Sequence, residues 1–137
     1  MGRPARISAL LLFVLGAVLM VGGCTSATPP PAPLQIGPKQ AGSTQRLAKG
    51  QQLQVTLPSN PSTGYRWDVD GALPAQLEQN GQPQFASDST AIGAGGSEVW
   101  TFSAKASGQG ALNMKYWRSF ESTVPPVQTY SVTVVVK

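Results

Sequence analysis

Hydrophobic and polar residues alternate along most of the chain from about residue 44 onward, the period expected of β-strands with one face in a core. In the first such segment Leu53, Val55 and Leu57 alternate with Gln and Thr residues. The apolar positions of the other segments are Tyr65, Trp67 and Val69; Trp100, Phe102 and Ala104; Leu112, Met114 and Tyr116; and Tyr130, Val132, Val134 and Val136. Each segment is therefore predicted to be a half-buried strand, and these residues are the predicted core.

Turn-forming residues separate the alternating segments and indicate the fold class. Stretches rich in Pro, Gly, Asn and Ser lie between them, at 58–61, 80–81, 93–96, 108–110 and 125–126. Weaker strand patterns at 45–49 and 82–86 raise the predicted number of strands to about seven. No window shows a sustained helical period, so residues 45–137 are predicted to form an all-β, immunoglobulin-like sandwich or barrel.

Residues 1–23 are typical of a secretory signal peptide. Arg3 and Arg6 precede an apolar run of about a dozen residues, and small residues lead up to Cys24. The run is too short for a transmembrane helix, which needs about 20 residues. Val21-Gly22-Gly23-Cys24 resembles a bacterial lipobox, so Cys24 is expected to be lipidated. The alternative is an ordinary signal peptide that leaves a free thiol.

Residues 24–44 are predicted to be the lipidated cysteine and a proline-rich tether. Prolines and small residues with little charge favour an extended polyproline conformation, which at roughly 3.1 Å per residue would reach about 60 Å. A lipoprotein of the bacterial cell envelope is therefore expected. Thr25 stands where an Asp would resemble an inner-membrane retention signal, and this favours the periplasmic face of the outer membrane.

The composition argues against an enzyme. The chain has no histidine, which excludes Ser-His-Asp and Cys-His catalysis and histidine-based metal sites. The single cysteine allows no intramolecular disulfide. Paired-carboxylate hydrolysis stays open in principle, but the six acidic residues are scattered and are expected on the solvated surface. No cofactor and no metal are expected.

The net charge gives no indication of nucleic-acid binding. Loss of Arg3 and Arg6 with the signal peptide leaves eight basic residues against six acidic ones, so the net charge falls from +4 to +2. Two excess charges are too few for a nucleic-acid-binding surface.

A tightly specified loop follows the strand around Val55, and its residues are Asn60, Pro61, Ser62, Thr63, Gly64 and Tyr65. Pro61 fixes one φ angle, and Gly64 permits a positive one. Ser62 and Thr63 then place small hydroxyl side chains at the apex. A well-made turn with local hydrogen bonds is the alternative interpretation.

Two further loops have unusual compositions. The segment 93–96 contains Gly93, Gly95 and Gly96, so another chain can approach its backbone closely. It lacks the Lys-Ser/Thr and the helix of a phosphate-binding loop, and a plain hairpin loop is the alternative. At 116–121 two aromatic residues flank Arg118, and Arg118 and Phe120 have the composition of an interface anchor. The alternative is that Trp117 or Phe120 covers the open end of the sandwich.

Together the three loops resemble those of the chagasin family of cysteine-peptidase inhibitors. That family carries Asn-Pro-Thr-Thr-Gly-Tyr in its first loop, matched by residues 60–65 with Ser62 in place of the first Thr. Its second loop carries Gly-x-Gly-Gly, matched by residues 93–96. Its third carries Arg-Pro-Trp/Phe, and here Ser119 replaces the proline. The resemblance spans about residues 44–137.

The resemblance implies a reversible, noncovalent inhibitor of papain-like cysteine peptidases. Its three loops would enter the active-site cleft, the first over the catalytic cysteine and histidine, the second beside the substrate channel and the third on the opposite side. The implied peptidase-binding residues are Asn60, Pro61, Ser62, Thr63, Gly64, Tyr65, Gly93, Gly95, Gly96, Arg118 and Phe120. A monomer is expected, with a papain-like peptidase and a membrane as partners. The alternative function is an envelope lipoprotein whose β-sandwich serves as an assembly or adhesion module.

Overall fold

The structure, a computed structural model, describes residues 27–137 together with Gly2. The predicted signal peptide and Cys24 therefore lie outside the described residues, apart from Gly2. The strands of the described part are β1 Leu34–Ile36, β2 Thr44–Leu47, β3 Gln52–Ser59, β4 Arg66–Val69, β5 Leu77–Gln79, β6 Gln84–Ser87, β7 Gly96–Ala104, β8 Gly108–Trp117 and β9 Gln128–Val136. Two single 3-10 turns cover Pro38–Gln40 and Pro61–Thr63. The described residues contain no helix long and apolar enough to cross a membrane.

The strands form two sheets. One has the order β1-β3-β7-β5, with β6 also paired to β7, and the other has the order β2-β9-β8-β4. The pairs β1·β3 and β2·β9 are parallel, and the other pairs are antiparallel. Chain segments therefore pass between the sheets several times. The all-β prediction is confirmed.

The predicted alternation places the core correctly. The apolar positions of β3, β7, β8 and β9 are buried, while most of their alternating neighbours are at least partly exposed. Leu53, Val55, Phe102, Leu112 and Val134 are completely covered. In β4 the agreement is partial, since Trp67 is buried but Tyr65 and Val69 are only half-buried against the core.

The structure corrects the predicted boundary between tether and domain. β1 lies within the predicted tether, pairs with β3 and buries Ile36, so the folded domain begins at Leu34 rather than at residue 45. Tyr130 donates a hydrogen bond from its hydroxyl to the Gly37 carbonyl at 3.0 Å and fastens the end of this strand to β9. Residues 27–33 of the predicted tether are exposed and free of regular secondary structure. Three residues between prolines were too few for the alternation to reveal the strand.

The two weak sequence patterns both correspond to strands, and one more strand, β5, was not predicted. The weak pattern at 82–86 corresponds to the exposed edge strand β6, and that at 45–49 corresponds to β2. The additional β5 is three residues long and contributes buried Leu77. β7 is the central strand, since it pairs with β3 on one side and with β5 and β6 on the other.

Candidate functional site

The three loops of unusual sequence lie together at one end of the sandwich. Loop 1 (residues 60–65) joins β3 to β4, loop 2 (88–95) joins β6 to β7, and loop 3 (118–127) joins β8 to β9. Their stems are paired in register: Ser59 lies opposite Gly96, and Arg66 lies opposite Trp117. Sheet pairing, rather than proximity along the chain, therefore brings loops that are distant in sequence to one edge.

Loop 1 holds its own shape through local hydrogen bonds. The Asn60 side chain accepts from the Ser62 amide at 3.2 Å and from the Ser62 hydroxyl at 2.5 Å, which caps the 3-10 turn Pro61–Thr63. The Thr63 hydroxyl donates to the Asn60 carbonyl at 2.6 Å. Gly64 ends the turn with a φ of 80°, a left-handed conformation that favours glycine. Ser62 and Thr63 remain exposed at the apex, as predicted.

Loop 2 is bonded directly to loop 1. The side-chain Nδ2 of Asn60 donates to the Gly93 carbonyl at 3.2 Å, and the Ser62 hydroxyl lies 3.4 Å from the same oxygen. Beside this contact the side chain of Ile92 is fully exposed, which is unusual for a large aliphatic residue at a rigid loop. Sequence reasoning passed over Ile92 in favour of the glycines around it. The signal available was a lone branched apolar residue beside a glycine run.

Arg118 fastens loop 3 to loop 1. Its Nε donates to the Thr63 carbonyl at 3.2 Å, and its guanidinium lies 4.5 Å from the centre of the Tyr65 ring. Nη1 of Arg118 also pairs with the Glu121 carboxylate at 3.3 Å. The predicted interface residue Arg118 is thus half-buried and bonded to residues of loops 1 and 3. With these contacts Arg118 holds loop 1 in position rather than extending towards a partner.

The aromatic residues near loop 3 have different positions. Phe120 is 70% exposed, and its ring packs beside Gly64, where a Cβ would lie 3.1 Å from the ring. Trp117 instead donates from its indole nitrogen to Asp68 at 2.8 Å, and the Lys115 ammonium lies 4.3 Å from its ring centre. Phe120 is therefore exposed to a partner, whereas Trp117 is held against β4 and β8 by Asp68 and Lys115.

An aromatic column supports loop 1 from beneath. Tyr65 stacks on Tyr116 with ring centroids 5.4 Å apart, and Tyr116 in turn contacts Trp67 at 5.1 Å. The Tyr116 hydroxyl accepts a hydrogen bond from the Asn60 amide at 2.9 Å. The half-buried Tyr65 is thus placed in the foundation of the loop, not at its tip.

The glycines of the second motif are not equivalent. Gly96 is buried in β7, where a Cβ would overlap the Ala86 carbonyl oxygen of the neighbouring β6. A Cβ on Gly95 would meet only ordinary contacts, the nearest 3.7 Å away at the Ser59 carbonyl oxygen. Gly93 has a φ of 78°, and its backbone carries the contact to loop 1. The structural requirement for glycine at residue 96 is therefore strand packing.

One acidic residue contradicts the expectation that all six lie on the solvated surface. Glu98, in β7, is only 6% exposed and accepts hydrogen bonds from Ser59, Trp67 and Trp100. Alternation along β7 points its side chain inward with those of Trp100 and Phe102. The alternating segment predicted from the sequence began at Trp100, and every carboxylate was expected on the surface, so the buried position of Glu98 was missed.

The assembled edge offers shape and contact rather than catalytic groups. No group of three or more His, Cys, Asp or Glu side chains that could hold a metal occurs within residues 27–137. Its outward side chains are small hydroxyls and exposed apolar groups: Ser62, Thr63, Ile92, Phe120, Val124 and Val127. A firm edge with apolar anchors is suited to docking into a cleft.

Comparison with known proteins confirms the resemblance to the chagasin family. The model of the chagasin family of peptidase inhibitors (I42) matches residues 46–134. Chagasin of Trypanosoma cruzi is 33% identical over 100 residues, which cover 70% of this chain and 89% of chagasin.

Solved structures share the fold. The cysteine protease inhibitor EhICP2 of Entamoeba histolytica superposes with a TM-score of 0.68 at 20% identity, over 77% of this chain and 96% of EhICP2. PbICP-C, solved in complex with falcipain-2, superposes with a TM-score of 0.52 at 20% identity, over 78% of this chain and all of PbICP-C. The matching family consists of peptidase inhibitors, and EhICP2 is a cysteine protease inhibitor; neither is an enzyme. On the family match and the identity to chagasin, the chain belongs to the chagasin family of peptidase inhibitors.

Proposed function

We propose that this protein inhibits papain-like cysteine peptidases reversibly and noncovalently by inserting loops 1, 2 and 3 into the active-site cleft. The observation that carries the proposal is the bonding of the three loops into one edge, through Gly93 on one side of loop 1 and Arg118 on the other. Membership of the chagasin family supports it, as does the complex of PbICP-C with falcipain-2.

The firmness of the edge favours tight binding without a covalent bond. Loop 1 has its capping bonds and its left-handed Gly64 before any partner arrives. Little conformational entropy is then lost on binding, and a stiff backbone resists distortion into a scissile geometry. An interface of standard size would bury about 800 Å² on each partner.

Each loop has a proposed place in the cleft. Thr63, at the exposed apex of loop 1, would lie nearest the catalytic thiol, where only a small side chain fits. The backbone around Gly95 would run along the cleft wall, with Ile92 contributing an apolar contact beside it. Phe120 would pack on the opposite wall. Arg118 would act from behind by holding the Thr63 carbonyl in position.

An inhibition assay of residues 27–137 against a panel of papain-like peptidases tests the proposal. Thr63→Lys is expected to weaken inhibition most, because a charge would be stranded in a desolvated cleft. Phe120→Ala should cost about 1–3 kcal/mol of binding. Phe85→Ala is the matched control, since Phe85 is 42% exposed but lies on the edge strand β6, and it should inhibit like the parent.

The assay also distinguishes inhibition from the alternative function, an assembly or adhesion module. A folded domain that inhibits no papain-like enzyme would contradict the proposal and favour the assembly or adhesion module. If Phe120→Ala and Phe85→Ala both inhibit like the parent, Phe120 does not contact the peptidase. Uncleaved inhibitor after long incubation, and binding to an enzyme whose thiol has been alkylated, are expected of a noncovalent mode.

We further propose that the protein is a bacterial lipoprotein anchored through Cys24, on the periplasmic face of the outer membrane. The signal-like residues 1–23 and the lipobox-like tetrapeptide support this proposal. Residues 27–33 would then be the spacer between lipid and domain. Cys24→Ser should abolish acyl labelling and release the protein from the membrane fraction, and unchanged fractionation would exclude the anchor.

A further inference from the structure

Glu98 is a buried carboxylate that the proposed mechanism does not use. It lies in the central strand β7, opposite Leu57 of β3 and two residues after Gly96, where loop 2 ends. Its side chain points into the sandwich at the end that carries the loops. Burying a carboxylate is costly unless its oxygens are hydrogen-bonded.

The three partners of Glu98 are all neutral donors. Oε2 accepts from the Ser59 hydroxyl at 3.0 Å and from the Trp67 backbone amide at 3.4 Å. Oε1 accepts from the Trp100 indole nitrogen at 3.0 Å. Only an acceptor-only group satisfies this arrangement, because a glutamine would turn its NH₂ towards one of the donors. The site therefore requires a carboxylate and not merely a polar side chain.

Two of the three donors are the stems of loop 1. Ser59 is the last residue of β3, directly before the loop, and Trp67 is the second residue of β4, directly after it. Ser59 belongs to one sheet and Trp67 to the other, so loop 1 spans the gap between the sheets. A single oxygen of Glu98 thus joins both stems across that gap. The Trp67 indole nitrogen donates to the Pro58 carbonyl at 2.9 Å, which is a direct hydrogen bond between the strands on either side of loop 1.

We infer that Glu98 is a positioning residue for inhibition: it sets the separation of the loop 1 stems and, because its own strand emerges from loop 2, the placement of loop 1 relative to loop 2. It touches no peptidase. It acts through Ser59 and Trp67 on the apex at Ser62 and Thr63. This inference rests on the proposed function for its effect on inhibition, but the positioning itself is a property of the free protein.

The test compares two variants of the full chain that each remove one hydrogen bond to Glu98. Ser59→Ala removes a bond to a stem of loop 1, whereas Trp100→Phe removes the bond on the side away from that loop. Inhibition constants are measured at a temperature where both variants are folded, with the melting temperature recorded for each. Ser59→Ala should raise the inhibition constant about fivefold, and Trp100→Phe should change it less than about twofold even though it disturbs the core more.

Glu98→Gln should weaken inhibition more than Ser59→Ala does, and the double variant measures the coupling between the two residues. Glu98→Gln should raise the inhibition constant about tenfold, and adding Ser59→Ala to it should raise the constant little further, because Ser59 has already lost its charged acceptor in Glu98→Gln. A purely stabilising role predicts instead that inhibition follows the melting temperature, with Trp100→Phe affected at least as much as Ser59→Ala. That ranking, or a folded Glu98→Gln that inhibits like the parent, would overturn the inference.

Hydrogen exchange of the free protein gives a readout independent of any peptidase. The amides of Thr63 and Gly64 donate to the Asn60 and Pro61 carbonyls within loop 1. They should exchange faster in Ser59→Ala and Glu98→Gln than in the parent, and at the parental rate in Trp100→Phe. If the parent inhibits no peptidase, the proposed function fails, and this exchange pattern alone then decides whether Glu98 positions the loop. Unchanged exchange in all variants would refute it.

Discussion

At the scale of single residues, the loop edge depends on side chains that serve their neighbours. Gly64 supplies a left-handed turn and also leaves room for Phe120, whose ring would meet a Cβ at 3.1 Å. Arg118 serves Thr63 by bonding its carbonyl and Tyr65 by lying over its ring. The residues of the recognisable motifs therefore divide into those that can face a partner and those that hold the others in place. Their peptidase-binding roles stay predictions.

Ser119→Pro is expected to stabilise loop 3. The Glu121 amide donates to the Arg118 carbonyl at 3.0 Å, so residues 118–121 form a β-turn with Ser119 at its second position, where proline is favoured. The substitution should raise the free energy of unfolding by about 0.4–1 kcal/mol through the entropy of the unfolded chain. Urea denaturation measures the gain. Tighter inhibition should accompany it, whereas a loss of stability would show that residue 118 or 119 cannot take the required backbone angles.

At the scale of elements, the loops inherit their positions from strand pairing. β7 carries loop 2, and it pairs with β3, which carries loop 1. β8 carries loop 3 and pairs with β4, which receives loop 1. Substitutions that disturb these pairings are expected to lower stability directly and to weaken inhibition only through the displaced loops.

Gly96→Ala and Gly95→Ala should separate strand packing from partner binding. At residue 96 the new methyl group would overlap the Ala86 carbonyl, and we expect a loss of about 1–3 kcal/mol in the free energy of unfolding. At residue 95 the methyl group has ordinary contacts, so stability should change little while inhibition weakens, because a side chain would stand between backbone and cleft wall. Thermal melts and inhibition constants of the two variants provide the comparison, and equal stabilities would contradict the assignment of Gly96 to strand packing.

Tyr130 should make stability fall at high pH. Burial raises the pKa of the Tyr130 hydroxyl from 10.0 to about 12, so the folded state keeps a proton that the unfolded state releases. Its contribution is fully present below pH 10 and is lost as the pH rises towards 12. Urea denaturation between pH 8 and about 12 should show this decline, and Tyr130→Phe should reduce its slope. An identical slope would mean that other groups cause it.

At the scale of the whole molecule, stability comes from the two apolar sheet faces. The ion pairs Arg66–Asp68, Lys115–Asp70 and Arg118–Glu121 all involve partly exposed side chains. Exposed pairs contribute about 0–1 kcal/mol, whereas a buried aromatic side chain contributes several times more. The sandwich core, without a disulfide, therefore has to support the loop edge.

The tryptophans allow this balance to be measured. Trp67 is 3% exposed and Trp100 is 4% exposed, so replacing either with alanine should cost about 3–5 kcal/mol of unfolding free energy. Trp117→Ala is the matched control, because this half-buried ring lies outside the core cluster and should cost clearly less. Guanidinium denaturation of the three variants orders them. A Trp67→Ala variant as stable as Trp117→Ala would contradict the core.

Local sequence patterns were sufficient to predict the main strands and the turn of loop 1. Alternation at Leu53–Leu57 and Tyr130–Val136 identified strands and their buried faces, because one side of a half-buried strand must be apolar throughout. The Asn60–Tyr65 segment revealed its turn because Pro61 and Gly64 restrict the backbone whatever surrounds them.

Features that depend on partners distant in sequence could not be predicted from local patterns. β1 is a strand because β3 offers it an edge, and Gly96 must be glycine because Ala86 lies against it. Glu98 can be buried because Ser59 and two tryptophans bring their donors to it from elsewhere in the chain. Pairing and hydrogen bonding across dozens of residues leave no local period, so these features become visible only when the two sheets are assembled.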